Sequence, residues 1–129
     1  MGKKKDIKVY GLSRNRYREL KYFCRQYYEW VEELKKIDYA LKAPKIDGLP
    51  KNMDINKITE KLAIKKVELE RKIKSVKQAA TEANSIIYQE LLQNVAQGIP
   101  YEYLNVPYSR SHFYRIRNLF FNLLDEKIT

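Results

Sequence analysis

The chain has 129 residues, 44% hydrophobic and 33% charged, with 26 Lys and Arg against 16 Asp and Glu and a formal net charge of +10. That length suits one domain with its own core, or a small domain with an extension, and the charge favours a polyanionic partner, nucleic acid first, through long-range attraction and counterion release. One cysteine rules out an intramolecular disulfide and fits a reducing compartment, and no run of about 18 apolar residues is present to cross a membrane.

The charge is unevenly placed. Residues 1 to 80 hold 22 Lys and Arg against 11 Asp and Glu, whereas residues 81 to 129 hold 4 against 5. The basic field therefore comes from the first two-thirds of the chain.

Residues 1–12 read as a basic N-terminal arm whose Lys3-Lys4-Lys5 run is available to phosphates or, more simply, solvated. No apolar signal-peptide region follows it, so a cytoplasmic protein is expected. Ser13 is a cap residue for a first long helix over about 13–42, along which Tyr17, Leu20, Cys24, Tyr27, Val31, Leu34, Ile37 and Leu41 recur every three or four residues. A stripe sustained that long has to meet another helix. Cys24, between Phe23 and Tyr27, reads as a small buried hydrophobe. The tyrosines at 17, 22, 27, 28 and 39 follow helical packing, each offering an apolar body with a polar tip.

Ala43-Pro44 ends that helix, because a residue before proline is pushed away from helical geometry. Residues 43–54, with two prolines and Asp47-Gly48, form a loop. Asp54 or Asn56 then caps a second helix over about 55–83, with Ile55, Ile58, Leu62, Leu69, Ile73, Val76, Ala80 and Ala83 as its stripe and Lys65 where an apolar residue is due. Its remaining face is basic. Lys57, Lys61, Lys66, Lys72, Lys74 and Lys77 are either solvated beside Glu60, Glu68 and Glu70 or in contact with phosphates, Lys66 and Lys72 being the candidates for contact. The two long helices predict an antiparallel helical hairpin over 13–84.

Near Asn84-Ser85 the stripe changes phase, and Ser85 is the expected cap of a third helix that runs through Gln97 and turns Ile86, Ile87, Leu91, Leu92 and Val95 inward. Gly98 supplies a left-handed stop, and Pro100 suits the first position of a short helix at 101–104. After Asn105-Val106-Pro107, Ser109 caps the last helix. Phe113, Ile116, Phe120 and Leu124 form its core stripe, while Ser111, Arg115, Asn118 and Asn122 point the other way. From Ser109 to Asn118 there are three arginines, one histidine and no acid.

A short helix, a tight turn and a second helix with an apolar inner face and a basic-polar outer face are what a helix-turn-helix needs to enter a DNA major groove. The same pattern also suits an amphipathic helix that only closes a bundle. Among the nearby aromatics, Tyr103 is expected to wall the core of the terminal module, and Tyr108 and Tyr114 to reach a phosphate or a thymine methyl. His112 serves either as a packed side chain or as a contact.

Groups for catalysis are missing. With one histidine and one cysteine, zinc-ligand spacings within the chain are impossible, and four scattered glycines make no phosphate-cradling loop. The expectation is no enzyme, no metal and no cofactor. The fold class expected is all-α: a long antiparallel hairpin followed by a helix-turn-helix module over 85–129.

The segments YRELKYFC at 17–24, LAIKKVELERKI at 62–73, and GIPYEYL at 98–104 with FYRIRNLFFNLL at 113–124 resemble small phage and prophage proteins of Gram-positive bacteria. Those are similar to late-gene transcriptional regulators of the RinA and ArpU type, whose C-terminal part resembles the helix-turn-helix of sigma-factor region 4. The resemblance implies a DNA-binding transcriptional regulator in the cytoplasm of a bacterial host cell, with Ser109 to Asn118 at the positions of the reading helix. On that reading Ser109 opens the helix, and Arg110, Ser111, Arg115 and Asn118 approach base edges. Tyr114, Arg117, Lys66 and Lys72 hold phosphates of double-stranded DNA. Two other readings compete: a small-terminase-like DNA-packaging component assembling into rings, and a helical interaction protein whose seams pair with another chain such as RNA polymerase. The long helices also suit a homo-oligomer.

Overall fold

Apolar stripes at helical spacing give five α-helices, and a computed structural model describes them over residues 11–42 and 55–129. They are α1 (Arg14–Arg25), α2 (Tyr27–Lys42), α3 (Ile55–Ala83), α4 (Tyr88–Gln97) and α5 (Arg110–Ile128), with one 3-10 turn at Tyr101–Tyr103 before α5. The described residues are all-helical, and no helix among them is long and apolar enough to cross a membrane. The lysine run of the expected arm and the loop at 43–54 lie outside the described residues. The arm's last two positions belong to the fold: Gly11 takes a positive φ of 91° and Leu12 is buried in the core.

Ser13 caps α1, its hydroxyl accepting a hydrogen bond from the Arg16 amide at 3.1 Å. The single helix expected over 13–42 is instead two. At Gln26 the amide donates to the Phe23 carbonyl, three residues back, and α2 starts at Tyr27. Packing explains the break, since α1 lies on α4 and α5 while α2 runs along α3. It also admits Trp30, absent from the expected stripe: Trp30 is buried and Val31 only half-buried. The ring of Phe23 meets Trp30 edge-on at 4.8 Å across the break.

The pairing of α2 with α3 is antiparallel. Trp30 lies under Lys72, whereas Asp38, two turns further along α2, meets Lys66, nearly two turns back along α3. Lys65, which interrupts the apolar stripe, reaches Glu33 at 3.6 Å. Only Leu69, Val76, Ala79 and Ala80 of α3 are fully buried, and Ile55 and Ile58 from the expected stripe are exposed. Tyr22 and Tyr39, expected to pack, are also exposed. Their positions place them on the outer sides of α1 and α2, where a tyrosine's polar tip tolerates water.

The densest packing gathers at the C-terminal half of α3. There α5 lies across α3, and Phe113, Phe120, Phe121 and Leu124 meet Leu20, Cys24, Val76, Ile87 and Leu91 in one cluster, all at 0–1% exposure. The start of α4 differs from expectation. Asn84, not Ser85, closes the connection, its side-chain oxygen accepting from the amides of Ile86 and Ile87 at 2.9 and 3.1 Å. That turn buries Ile87 and leaves Ile86 outside at 72% exposure. Gly98 ends α4 with φ at 78°, as its position suggested, and donates its amide to the Asn94 carbonyl at 3.0 Å. The Arg25 guanidinium lies against Gly98, placing a cation at the negative end of α4.

Candidate nucleic-acid interface

Ser109 starts α5 by accepting from the His112 amide at 3.1 Å. Its hydroxyl is thereby engaged as a cap. The stripe Phe113, Ile116, Phe120, Phe121 and Leu124 is buried, and this fixes the rotation of the helix. Ser111 and Arg115 consequently stand exposed, with Asn118 half-buried one turn on. Arg115 makes no hydrogen bond or ion pair among the described residues.

The other two arginines are held. Arg110 ion-pairs with Glu102 of the 3-10 turn and lies over the rings of Tyr114 at 5.4 Å and Tyr101 at 6.0 Å. The Glu102 carboxyl sits below its ordinary range, first through its own backbone amide and then through Arg110; the same hydrogen bond raises Arg110. Both groups are solvated, so the pair is a weak tether that a phosphate can replace. Arg117 turns inward. Its Nε donates to Asn94 Oδ1 at 2.7 Å, another nitrogen donates to the Tyr17 hydroxyl, and its guanidinium lies over Tyr17, Tyr114 and Phe121 at 5.0–5.7 Å. These partners are neutral, and together they bind α5 to α1 and α4. Arg117 is therefore a packing residue in this arrangement and not a hand free for phosphate.

The lysines proposed from sequence stand elsewhere. Lys66 holds Asp38 at 2.9 Å, which raises its own ionisation. Lys72 lies over Trp30 at 5.4 Å and, with Arg71 and Ser75, lines a pocket shared with Ile128 and Thr129. That is the C-terminal end of α5. Nineteen residues of helix, at about 1.5 Å each, leave roughly 27 Å between there and Arg110. So Ser109, Arg110, Ser111, Tyr114, Arg115 and Asn118 come together, with Arg117 packed against Tyr114 from the inner side, while Lys66 and Lys72 do not join them.

Among the aromatics, Tyr103 is 81% exposed instead of walling the core. Tyr101 takes that place, its ring 5.4 Å from Phe113 and its hydroxyl donating to the Tyr108 carbonyl. The ring of His112 lies 4.4 Å from that of Tyr108. Tyr114 is half-buried between two guanidinium groups, Arg110 and Arg117. Glu102 and Asn94, which fix those arginines, were not legible as partners from spacing. A helix-turn-helix is not established by this arrangement: the member preceding α5 is a three-residue turn, and α5 is backed chiefly by α3. Comparison with protein-family models, curated proteins and solved structures gave no match.

Proposed function

We propose that the protein is a DNA-binding regulator that lays the N-terminal half of α5 against duplex DNA. The observation that carries this reading is the free Arg115 side chain, set beside Ser111 and Asn118 on a helix whose opposite face is wholly buried. Arginine donates twice to guanine O6 and N7, asparagine donates to adenine N7 while accepting from its N6 amino group, and serine hydrogen-bonds either base type. The net charge of +10 supplies long-range attraction. Arg110 is the second contact, exchanging Glu102 for a phosphate. Arg117 contributes by holding Tyr114 in place.

Titration of a random duplex at rising salt tests the first step, because phosphate binding demands a steep loss of affinity, with a logarithmic slope of about −0.9 per phosphate neutralised. On a sequence selected from a random pool, Arg115→Ala is expected to cost about 1 to 3 kcal/mol while leaving random-duplex affinity nearly unchanged. Equal losses on both would reassign Arg115 to the DNA backbone.

A second reading is favoured by Ile64 and Val67, 55% and 63% exposed on the outer side of α3. An apolar pair there suits a protein partner, whether a second copy or a polymerase subunit. Native mass separates these outcomes, and a ring of many copies would favour DNA packaging.

A further inference from the structure

Lys66 and Lys72 of α3 do not join the exposed face at the start of α5, yet a duplex held there needs its phosphates gripped. We infer that α1 supplies that grip, through a basic stripe of Arg14, Arg18, Lys21 and Arg25 that binds the phosphate backbone beside the groove entered by α5; this rests on the duplex-binding reading above. Steps of four, three and four residues at about 100° each keep these side chains within an arc of roughly 60° on one face of the helix. Arg14, Arg18 and Arg25 are exposed and Lys21 half-exposed. The single acid of α1, Glu19, lies off that face and is engaged by Arg16 at 3.3 Å. The unpaired cations of α3 are different: Lys61, Arg71, Lys74 and Lys77 share their helix faces with Glu60, Glu68, Glu70 and Glu82, which cancel much of their field.

The stripe is continuous with the start of α5. Lys21 lies over the Tyr17 ring at 5.5 Å and Arg117 shares that ring at 5.7 Å. Arg117 and Arg110 in turn share the ring of Tyr114. Cations and aromatic faces thus alternate from α1 to the N-terminus of α5 without an intervening acid other than the exchangeable Glu102.

The twelve residues of α1 carry the stripe over about 16 Å from Arg14 to Arg25, enough to follow the strand bordering a major groove about 12 Å wide. Asn15 and the exposed Tyr22 flank the stripe, and both residue types donate to phosphate oxygens. An acidic protein is the less suitable partner, because the centre of a protein interface is depleted in charge, whereas this face is charged along its whole length.

The test uses the full chain with Arg14→Gln and Arg18→Gln combined, since neither guanidinium has a hydrogen bond or ion pair among the described residues and the thermal midpoint should not move. Against a random duplex, the salt slope is expected to become shallower by about 1.8, two phosphates' worth. Lys74→Gln with Lys77→Gln, the matched control, should leave the slope in place. A wild-type slope in the α1 variant, or an equal change in the control, overturns the inference while leaving α5 as the reading helix. If the unaltered protein retains no duplex even at low salt, both readings fall. Binding of poly-glutamate, lost with the α1 pair, would then assign the stripe to an acidic protein.

Discussion

The two ends of α3 live in different surroundings. Its C-terminal half is enclosed by α4 and α5, where Val76, Ala79 and Ala80 are fully buried in one cluster with Phe113, Phe120 and Phe121. Its N-terminal half has α2 alone. Contact there combines the buried Ile37 and half-buried Leu41 and Leu62 with the solvent-accessible pairs Lys65–Glu33 and Lys66–Asp38, while Ile55, Ile58, Ile64 and Val67 stay at the surface. Surface pairs of this kind contribute little because water screens them, whereas each large buried side chain contributes roughly 1.5–3 kcal/mol. Stability therefore resides at the end that carries α5, and the outer part of the hairpin opens at lower cost. A rigid mount behind α5 is what a reading helix requires, since side chains aimed at base edges tolerate little displacement.

This contrast has measurable consequences, the largest in thiol chemistry. Burial pushes Cys24 up to about 12, against the lowering influence of Arg117 and Arg25. A thiol reagent should modify Cys24 on the order of 10³-fold more slowly in the folded chain than in the unfolded one, because reaction waits on opening. A second thiol introduced by Val67→Cys should react at the rate of a free cysteine. Comparable slow rates at both positions would mean that the hairpin end is as closed as the core. Because the folded thiol ionises above its ordinary value of 9.0, its contribution to stability is complete below about pH 9 and is lost as pH rises toward 12.

Next in size is Phe120→Ala, expected to cost about 3 to 5 kcal/mol by denaturant unfolding, since it removes a fully enclosed ring. Gly98→Ala should cost about 1 to 2 kcal/mol, because its φ of 78° is left-handed and an added Cβ would meet the Arg25 guanidinium at 2.9 Å. Arg25→Ala in the same background relieves the contact and leaves the backbone strain. Smallest is Ile64→Thr, expected to stay within about 0.5 kcal/mol. A loss near that of Phe120→Ala would show that the outer end is covered by something beyond the described residues.

Local signals made the helix ends legible. Ser13 and Ser109 cap as their side-chain chemistry suggests, Gly98 stops α4, and α3 covers the expected 55–83. The core stripe of α5 was likewise readable, since four residues at helical spacing define a face regardless of what covers it. What could not be read depends on partners distant in the chain. The break at Gln26 follows no proline or glycine; it exists because α1 and α2 pack on different helices.

The candidate site was legible in the same proportion. Exposure of Ser111 and Arg115 follows from rotation alone. The inward turn of Arg117 depends on Tyr17, 100 residues away, and the tether on Arg110 depends on a loop acid whose placement no periodicity fixes. Lys72 was drawn off by Trp30, whose burial itself follows from the break in the first helix. The basic spacing along α1 was present in the sequence, but its continuity with α5 depends on Lys21 and Arg117 sharing the ring of Tyr17.

Amide chemical shifts of the isotope-labelled full chain, followed while a short duplex is added, test the central claim most directly. Changes concentrated at Ser109 to Asn118, with a second set along Arg14 to Arg25, are the predicted result. Changes confined to the outer half of α3 around Ile64 and Val67, or none at saturating duplex and low salt, would contradict it.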